Sequence, residues 1–179
     1  MTAPLIILDR DGVINQDSAE FVKDADEWIA LPGSLAAIAR LTQAGWRTVV
    51  ATNQSGLARR KFSYADLSAM HRKCQHQLNA LGGRIDGWFF CPHGPSDDCL
   101  CRKPRHGLYS QIERAVGHSV EGVPSVGDSM RDLAAARTAS AKPILVRTGN
   151  GSDTESQLLP EWGVPVYADL ASVAEALLR

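Results

Sequence analysis

The run Leu5-Ile6-Ile7-Leu8 passes directly into Asp9-Arg10-Asp11-Gly12, and nothing else in the chain constrains its fold as strongly. A short, uncharged apolar stretch closed by glycine suits a strand buried on both faces, as in a parallel sheet. Side chains alternate along a strand, so Asp9 and Asp11 are expected to point the same way from its C-terminal end. Two neighbouring carboxylates raise each other's pKa, and a cation between them relieves the repulsion. Ligand sites of open α/β sheets also lie at that end of the strands. The spacing allows a solvated or helix-capping pair as well, and both readings stand at this point.

Further strand-like runs occur at 47–52, 87–91, 124–128, 143–147 and 165–167. Helical patterns separate them, at 34–44, 63–81, 107–116, 130–139 and 168–178. Ser63-Tyr64-Ala65-Asp66 reads as a capping box at the start of the longest helix. This alternation predicts a doubly wound α/β fold with a mostly parallel sheet. At 179 residues the chain suits one domain with a sizeable core, and no linker or repeat divides it. The polar stretch 149–156 is expected to be a loop. The irregular segment 15–32 follows the aspartates and would overhang the same sheet edge.

Nineteen basic and twenty acidic residues leave a net charge of −1 with no basic block, so a nucleic-acid or anionic-membrane partner has no electrostatic footprint. No apolar run approaches the roughly 20 residues of a membrane span. The N-terminus lacks a secretory pattern, which makes a cytoplasmic location the expectation. The absence of a large apolar stripe favours a monomer.

Polar groups recur at the ends of other predicted strands. Thr52-Asn53-Gln54-Ser55-Gly56 is a turn able to aim a hydroxyl and backbone N–H groups at an anion. Ser125-Val126-Gly127-Asp128 ends the fourth strand, with Asp132 one helical turn beyond, and Arg102-Lys103 supplies adjacent cations. Cys91, His93, Cys99 and Cys101 fall within eleven residues and form a Cys3His set suited to a structural tetrahedral Zn2+ with no open position. Cys74, standing apart in a helix, reads as a small core residue. His71 reads as an ordinary helix or surface residue.

In this order the motifs resemble the haloacid dehalogenase-like (HAD) phosphohydrolase superfamily. The resemblance implies that Asp9 is a nucleophile forming an aspartyl-phosphate, and that Asp11 is the general acid and base. It implies Mg2+ held by Asp9, Asp128 and the backbone carbonyl of Asp11, with Thr52 and Lys103 stabilising the phosphoryl oxygens. Asp132 would orient Lys103 or a metal-bound water. A zinc clip over 91–103 would hold Arg102 and Lys103 near the phosphate without reacting.

Within the superfamily, Cys91-Pro92-His93 and Cys99-Leu100-Cys101-Arg102-Lys103-Pro104 resemble the heptose-1,7-bisphosphate 7-phosphatases and the related histidinol-phosphatases. The implied activity is Mg2+-dependent removal of the 7-phosphate, with histidinol phosphate as the alternative substrate. Substrate contacts are expected from Asp17, Asn53, Gln54, Ser55 and Arg102, the last reaching sugar hydroxyls or the second phosphate. No large cap domain fits between the motifs, so the site should be open, walled by the zinc loop and 15–32. Two other classes compete: a phosphorylation-receiver domain, which would carry its acceptor where Cys91 stands, and a zinc-clip interaction protein with an inactive site.

Overall fold

The computed structural model describes residues 3–179. Six strands form one sheet in the order β3-β2-β1-β4-β5-β6. They are β1 (Leu5–Leu8), β2 (Arg47–Asn53), β3 (Gly87–Cys91), β4 (Pro124–Gly127), β5 (Lys142–Val146) and β6 (Val166–Tyr167). Every pairing is parallel. The helices between them are α1 (Ser34–Gln43), α2 (Tyr64–Ala80), α3 (Gly107–Val116), α4 (Met130–Thr138), α5 (Gly151–Gln157) and α6 (Leu170–Leu177). The expected doubly wound architecture is the one the chain adopts.

The pleat of β1 explains why its apolar run is unbroken. Ile6 and Leu8 enter one core with Ile38 and Leu41 of α1, Leu67, Met70, Cys74 and Leu78 of α2, and Val173 of α6. Leu5 and Ile7 enter the other, with Leu108 and Ile112 of α3 and Ala135 and Ala136 of α4. Each buried Leu, Ile, Val or Met among them contributes about 1.5–3 kcal/mol relative to exposure. α2 starts as foreseen: the Ser63 hydroxyl accepts from the Asp66 N–H at 3.2 Å, and Asp66 accepts from the Ser63 N–H at 2.8 Å. Cys74 is fully buried.

The chain runs outward from β1 through β2 to β3, then returns to place β4 on the other side of β1. That reversal opens a crevice beyond the C-terminal end of β1, where open α/β sheets bind ligands. Segment 15–32 is irregular apart from bridges of Asn15 to Asp11 and Ala30. No cap domain is present among the described residues.

Two expectations need correction. The stretch 149–156 is not a loop: Gly151–Gln157 is helical. Its sequence has no apolar periodicity, and it is anchored instead by the Thr154 hydroxyl, which donates to the Asp128 carbonyl at 2.8 Å. Strand alternation also stops before Asp11. β1 ends at Leu8, and the Arg10 carbonyl accepts N–H groups from Ile14 at 2.8 Å and Asn15 at 3.2 Å, turning the chain sharply.

Candidate active site

Asp9, Thr52 and Asp128 stand at the C-terminal ends of the adjacent strands β1, β2 and β4 and line one cavity of about 200 Å3. The Asp9 N–H donates to the Val126 carbonyl at 2.9 Å, which ties the turn after β1 to β4. Lys103 enters from the segment before α3 and is buried. Its Nζ donates to the Ala51 carbonyl at 2.7 Å and lies 3.0 Å from Asp9 Oδ1 and 2.6 Å from Asp132 Oδ1. The other Asp132 oxygen accepts from the Ser129 N–H at 3.0 Å and hydroxyl at 2.6 Å, so both Asp132 oxygens are engaged. Of the two roles expected for Asp132, the structure places it on Lys103.

Lys103 pairs with two of the three acids, Asp9 and Asp132. Burial, only partly offset by Lys103 and reinforced by Asp132, Asp128 and Asp11, pushes Asp9 up to about 8. Burial and Asp132 push Asp128 up to about 7, against the opposing hydrogen bonds from Asn150. Asp132 is also buried, yet Lys103 and Ser129 hold it below the usual carboxylate range. Asp9, Asp128 and Asp132 can each offer an oxygen within 4.8 Å of the others. Asp9 Oδ1 has no aligned hydrogen-bond donor. An all-oxygen set with an unsatisfied buried atom and excess negative charge fits a hard divalent cation such as Mg2+. Asp132 is committed elsewhere, so Asp9 and Asp128 are the carboxylates available to it. Gly12 and Gly149 make room: a Cβ on either would overlap the Asp128 carboxylate.

The Asp11 carboxylate is not a member of that group. It lines the same cavity but turns onto Arg10, which is 1% exposed and was not singled out in the sequence. Burial alone would raise Asp11, but Arg10, Asn15 and Gln54 hold it below the usual carboxylate range. The Asp9 and Asp11 carboxylates are therefore not paired, because the chain turns between them, and Asp9 stands with Asp128, the carboxylate that the family resemblance sets beside it.

The residues expected to touch substrate divide into two sets. Asp17, Ser55 and Arg102 line the cavity with polar groups, and Phe21 and Val22 of segment 15–32 add apolar wall. Asn53 and Gln54 also line it but are engaged in building it. Asn53 accepts from the Lys103 N–H at 3.0 Å and donates to the Lys103 carbonyl at 3.1 Å. Gln54 donates to Asp11 at 2.8 Å and to the Thr52 hydroxyl oxygen at 3.0 Å, leaving the Thr52 hydroxyl proton for another acceptor. Asn150, just before α5, was missed in the sequence. Its backbone and side-chain N–H groups reach Asp128 Oδ2 at 2.8 and 3.2 Å, and its side chain also reaches Asp17 at 3.1 Å. Nothing in the local pattern of a polar stretch announces that role.

The cysteine loop converges as its spacing suggested. Cys91 Sγ lies 3.6 Å from both His93 Nδ1 and Cys99 Sγ, and Cys101 Sγ lies 3.3 Å from His93 Nδ1, 3.2 Å from Cys91 and 3.7 Å from Cys99. All three thiols are free. A tetrahedral Zn2+ with Zn–S bonds near 2.3 Å separates its sulfurs by roughly 3.8 Å, so the donor set fits. The four donors do not line the active-site cavity, whereas Arg102 and Lys103 immediately after them do.

The sheet with its reversal at β1, and the acids and lysine at that point, define a HAD-like hydrolase. A HAD-hydrolase-like family model matches residues 100–173. More narrowly, the chain belongs to the family of the D-glycero-beta-D-manno-heptose-1,7-bisphosphate 7-phosphatases. The relative of that name from Bordetella bronchiseptica is 60% identical over 98% of both chains. The one from Pseudomonas aeruginosa is 50% identical over the full length of both. Among solved structures, D,D-heptose 1,7-bisphosphate phosphatase from B. bronchiseptica, complexed with magnesium and phosphate, matches at TM-score 0.95 and 60% identity over 98% of each chain. The Burkholderia thailandensis enzyme matches at TM-score 0.76 and 43% identity, again over 98% of each.

Proposed function

We propose that this chain is a Mg2+-dependent phosphatase that removes the 7-phosphate of D-glycero-D-manno-heptose 1,7-bisphosphate, the β anomer named for its relatives. The observation that carries the reading is Asp9, a carboxylate that lines an open polar cavity and is paired at 3.0 Å with one buried lysine. Asp9 attacks phosphorus and the bond from phosphorus to the sugar oxygen breaks, leaving an aspartyl-phosphate. Asp11 gives a proton to the departing alkoxide, then takes one from the water that hydrolyses the aspartyl-phosphate, which restores Asp9 and releases phosphate. Lys103 and the Thr52 hydroxyl stabilise charge on the phosphoryl oxygens.

Asp9, Asp128 and the Asp11 carbonyl would hold Mg2+, which when bound neutralises charge on the phosphoryl group and on Asp9. Cys91, His93, Cys99 and Cys101 would hold a structural Zn2+ that sets the loop carrying Arg102 and Lys103. Arg102, Asp17 and Ser55 face the part of the substrate that projects from the cavity. An open site suits a sugar whose far end carries a second phosphate. We further infer a cytoplasmic monomer acting on a small molecule, with neither nucleic acid nor membrane as partner. Among the described residues no helix is long and apolar enough to cross a membrane.

Steady-state hydrolysis of heptose 1,7-bisphosphate and histidinol phosphate tests the substrate. The heptose ester should have the higher kcat/KM, and a tenfold preference for histidinol phosphate overturns the assignment. Asp9→Asn should abolish turnover while leaving the fold intact.

A further inference from the structure

We propose that Arg10 is a positioning residue for the leaving-group step and acts through Asp11. This rests on the reading of Asp11 as the proton donor to the departing sugar oxygen. Arg10 is the largest charged side chain in the interior, and among the described residues its one ion pair is with Asp11. Nε and Nη2 reach Asp11 Oδ1 at 3.1 and 2.8 Å, and Nη2 also reaches Oδ2 at 3.0 Å. Nη1 points away, 3.8 Å from the sulfur of buried Met70 on α2. The guanidinium is thus fixed from behind by the core and presents its fork forward to one carboxylate.

Two further arms complete the cradle. Asn15 Nδ2 donates to Oδ1 at 2.8 Å and Gln54 Nε2 donates to Oδ2 at 2.8 Å. Both oxygens of Asp11 are thereby located from three directions, while its side chain stays 19% exposed toward the cavity. An aspartate just beyond a strand end, on a turn, has two side-chain torsions to lose, and a displacement of about 1 Å at a proton-transfer group costs on the order of 10²-fold in rate. Burying a guanidinium is costly, and an apolar side chain of similar volume often packs as stably as a buried ion pair. Packing against Met70 therefore does not account for an arginine here. Holding the Asp11 carboxylate in place does, even though the same contacts favour its ionised form. Lysine cannot substitute for the fork, because its point charge fixes neither oxygen.

The test compares kcat/KM for heptose bisphosphate with that for p-nitrophenyl phosphate, whose phenolate leaves without a proton. Wild type, Arg10→Lys, Arg10→Gln and Asp11→Ala are assayed, with thermal melts to establish folding. The two substitutions at Arg10 strain the core differently, so a fold lost in one leaves the other to read. The sugar ester should lose about 10²-fold in both Arg10 variants and the aryl ester less than threefold, the same split as in Asp11→Ala. Equal losses on both esters, or no loss on either, overturn the proposal, since they make Arg10 a phosphate ligand, a fold element or idle. If Asp11→Ala itself shows no split, it is the proton-donor reading of Asp11 that fails. If Asp11→Ala splits and the Arg10 variants do not, only the role of Arg10 falls.

Discussion

Lys103 and Asp132 form a buried ion pair, Nζ to Oδ1 2.6 Å, in which the acid comes from the first turn of α4 and the base from the loop that follows the cysteines. The pair joins two segments that share no secondary structure and fixes the lysine against Asp9. Removing one partner of a buried pair costs about 3–5 kcal/mol when it leaves an uncompensated charge, and Asp9, which stays beside Lys103, puts the cost here at the lower end. Asp132→Ala should therefore lower the unfolding free energy by about 3 kcal/mol in urea titration and reduce kcat as Lys103 shifts. A loss below about 1 kcal/mol would show that the pair is not what holds the lysine.

Cation binding should release protons. Burial pushes Asp9 up to about 8 and Asp128 up to about 7, and a bound Mg2+ needs both ionised, so each should give up its proton to the cation. Apparent Mg2+ affinity should then rise with pH between 6 and 9. Calorimetric titration of Mg2+ at pH 7 in two buffers of different ionisation enthalpy should give different apparent heats. Identical heats would show that both carboxylates are already ionised before the cation binds.

Asn150 spends two N–H donors on Asp128 Oδ2, which leaves Oδ1 to face a cation. Groups that orient a metal ligand are commonly worth 10–100-fold in affinity. Asn150→Ala, which keeps the backbone donor, should weaken Mg2+ binding by about tenfold, measured without substrate. Unchanged affinity would show that the backbone N–H alone suffices.

The cysteine clip lies outside the cavity, so its loss should separate the two metals. Cys99→Ser should lower zinc content from about one per chain and depress kcat through Lys103, while Mg2+ affinity stays within about twofold. Elemental analysis beside Mg2+ titration reads both. Zinc retained in Cys99→Ser would defeat the clip.

His71 stacks on Trp88, ring centroids 3.9 Å apart, and burial with the nearby Arg10 charge pushes it down to about 3. The unfolded chain takes up that proton near 6.5 and the folded chain does not, so stability falls as pH drops from 6.5 toward 3, by at most about 1.4 kcal/mol per pH unit. His71→Phe should flatten the acid limb of the stability curve followed by urea melts at pH 4 to 7. A limb of unchanged slope would place the acid sensitivity in other groups.

Much of this could be read along the chain because the causes are local. A two-sided strand must be apolar at every position, so β1 was visible. A capping box spans four residues, so the start of α2 was visible. The four cysteine-loop donors lie within eleven residues of one another, so their convergence needed only one turn of chain. Strand ends carry the chemistry in this class of sheet, so the sequence alone puts Asp9, Thr52 and Asp128 at one edge.

What stayed hidden depends on contacts between distant segments. Leu5 to Leu8, Ser63 to Asp66 and Cys91 to Cys101 declare their roles through spacing, because strand, helix and tetrahedral geometries repeat over a few residues. The burial of Arg10 against Met70, the inward turn of Asn53 and Gln54, and the hold of Asn150 on Asp128 leave no such period. They arise once the sheet brings residues separated by tens of positions to one crevice, where every buried polar atom must find a partner. Which aspartates could be catalytic was therefore a matter of sequence. Which of them share a cation, which stands on Lys103, and which is gripped by an arginine follow from how the low-dielectric interior satisfies its charges.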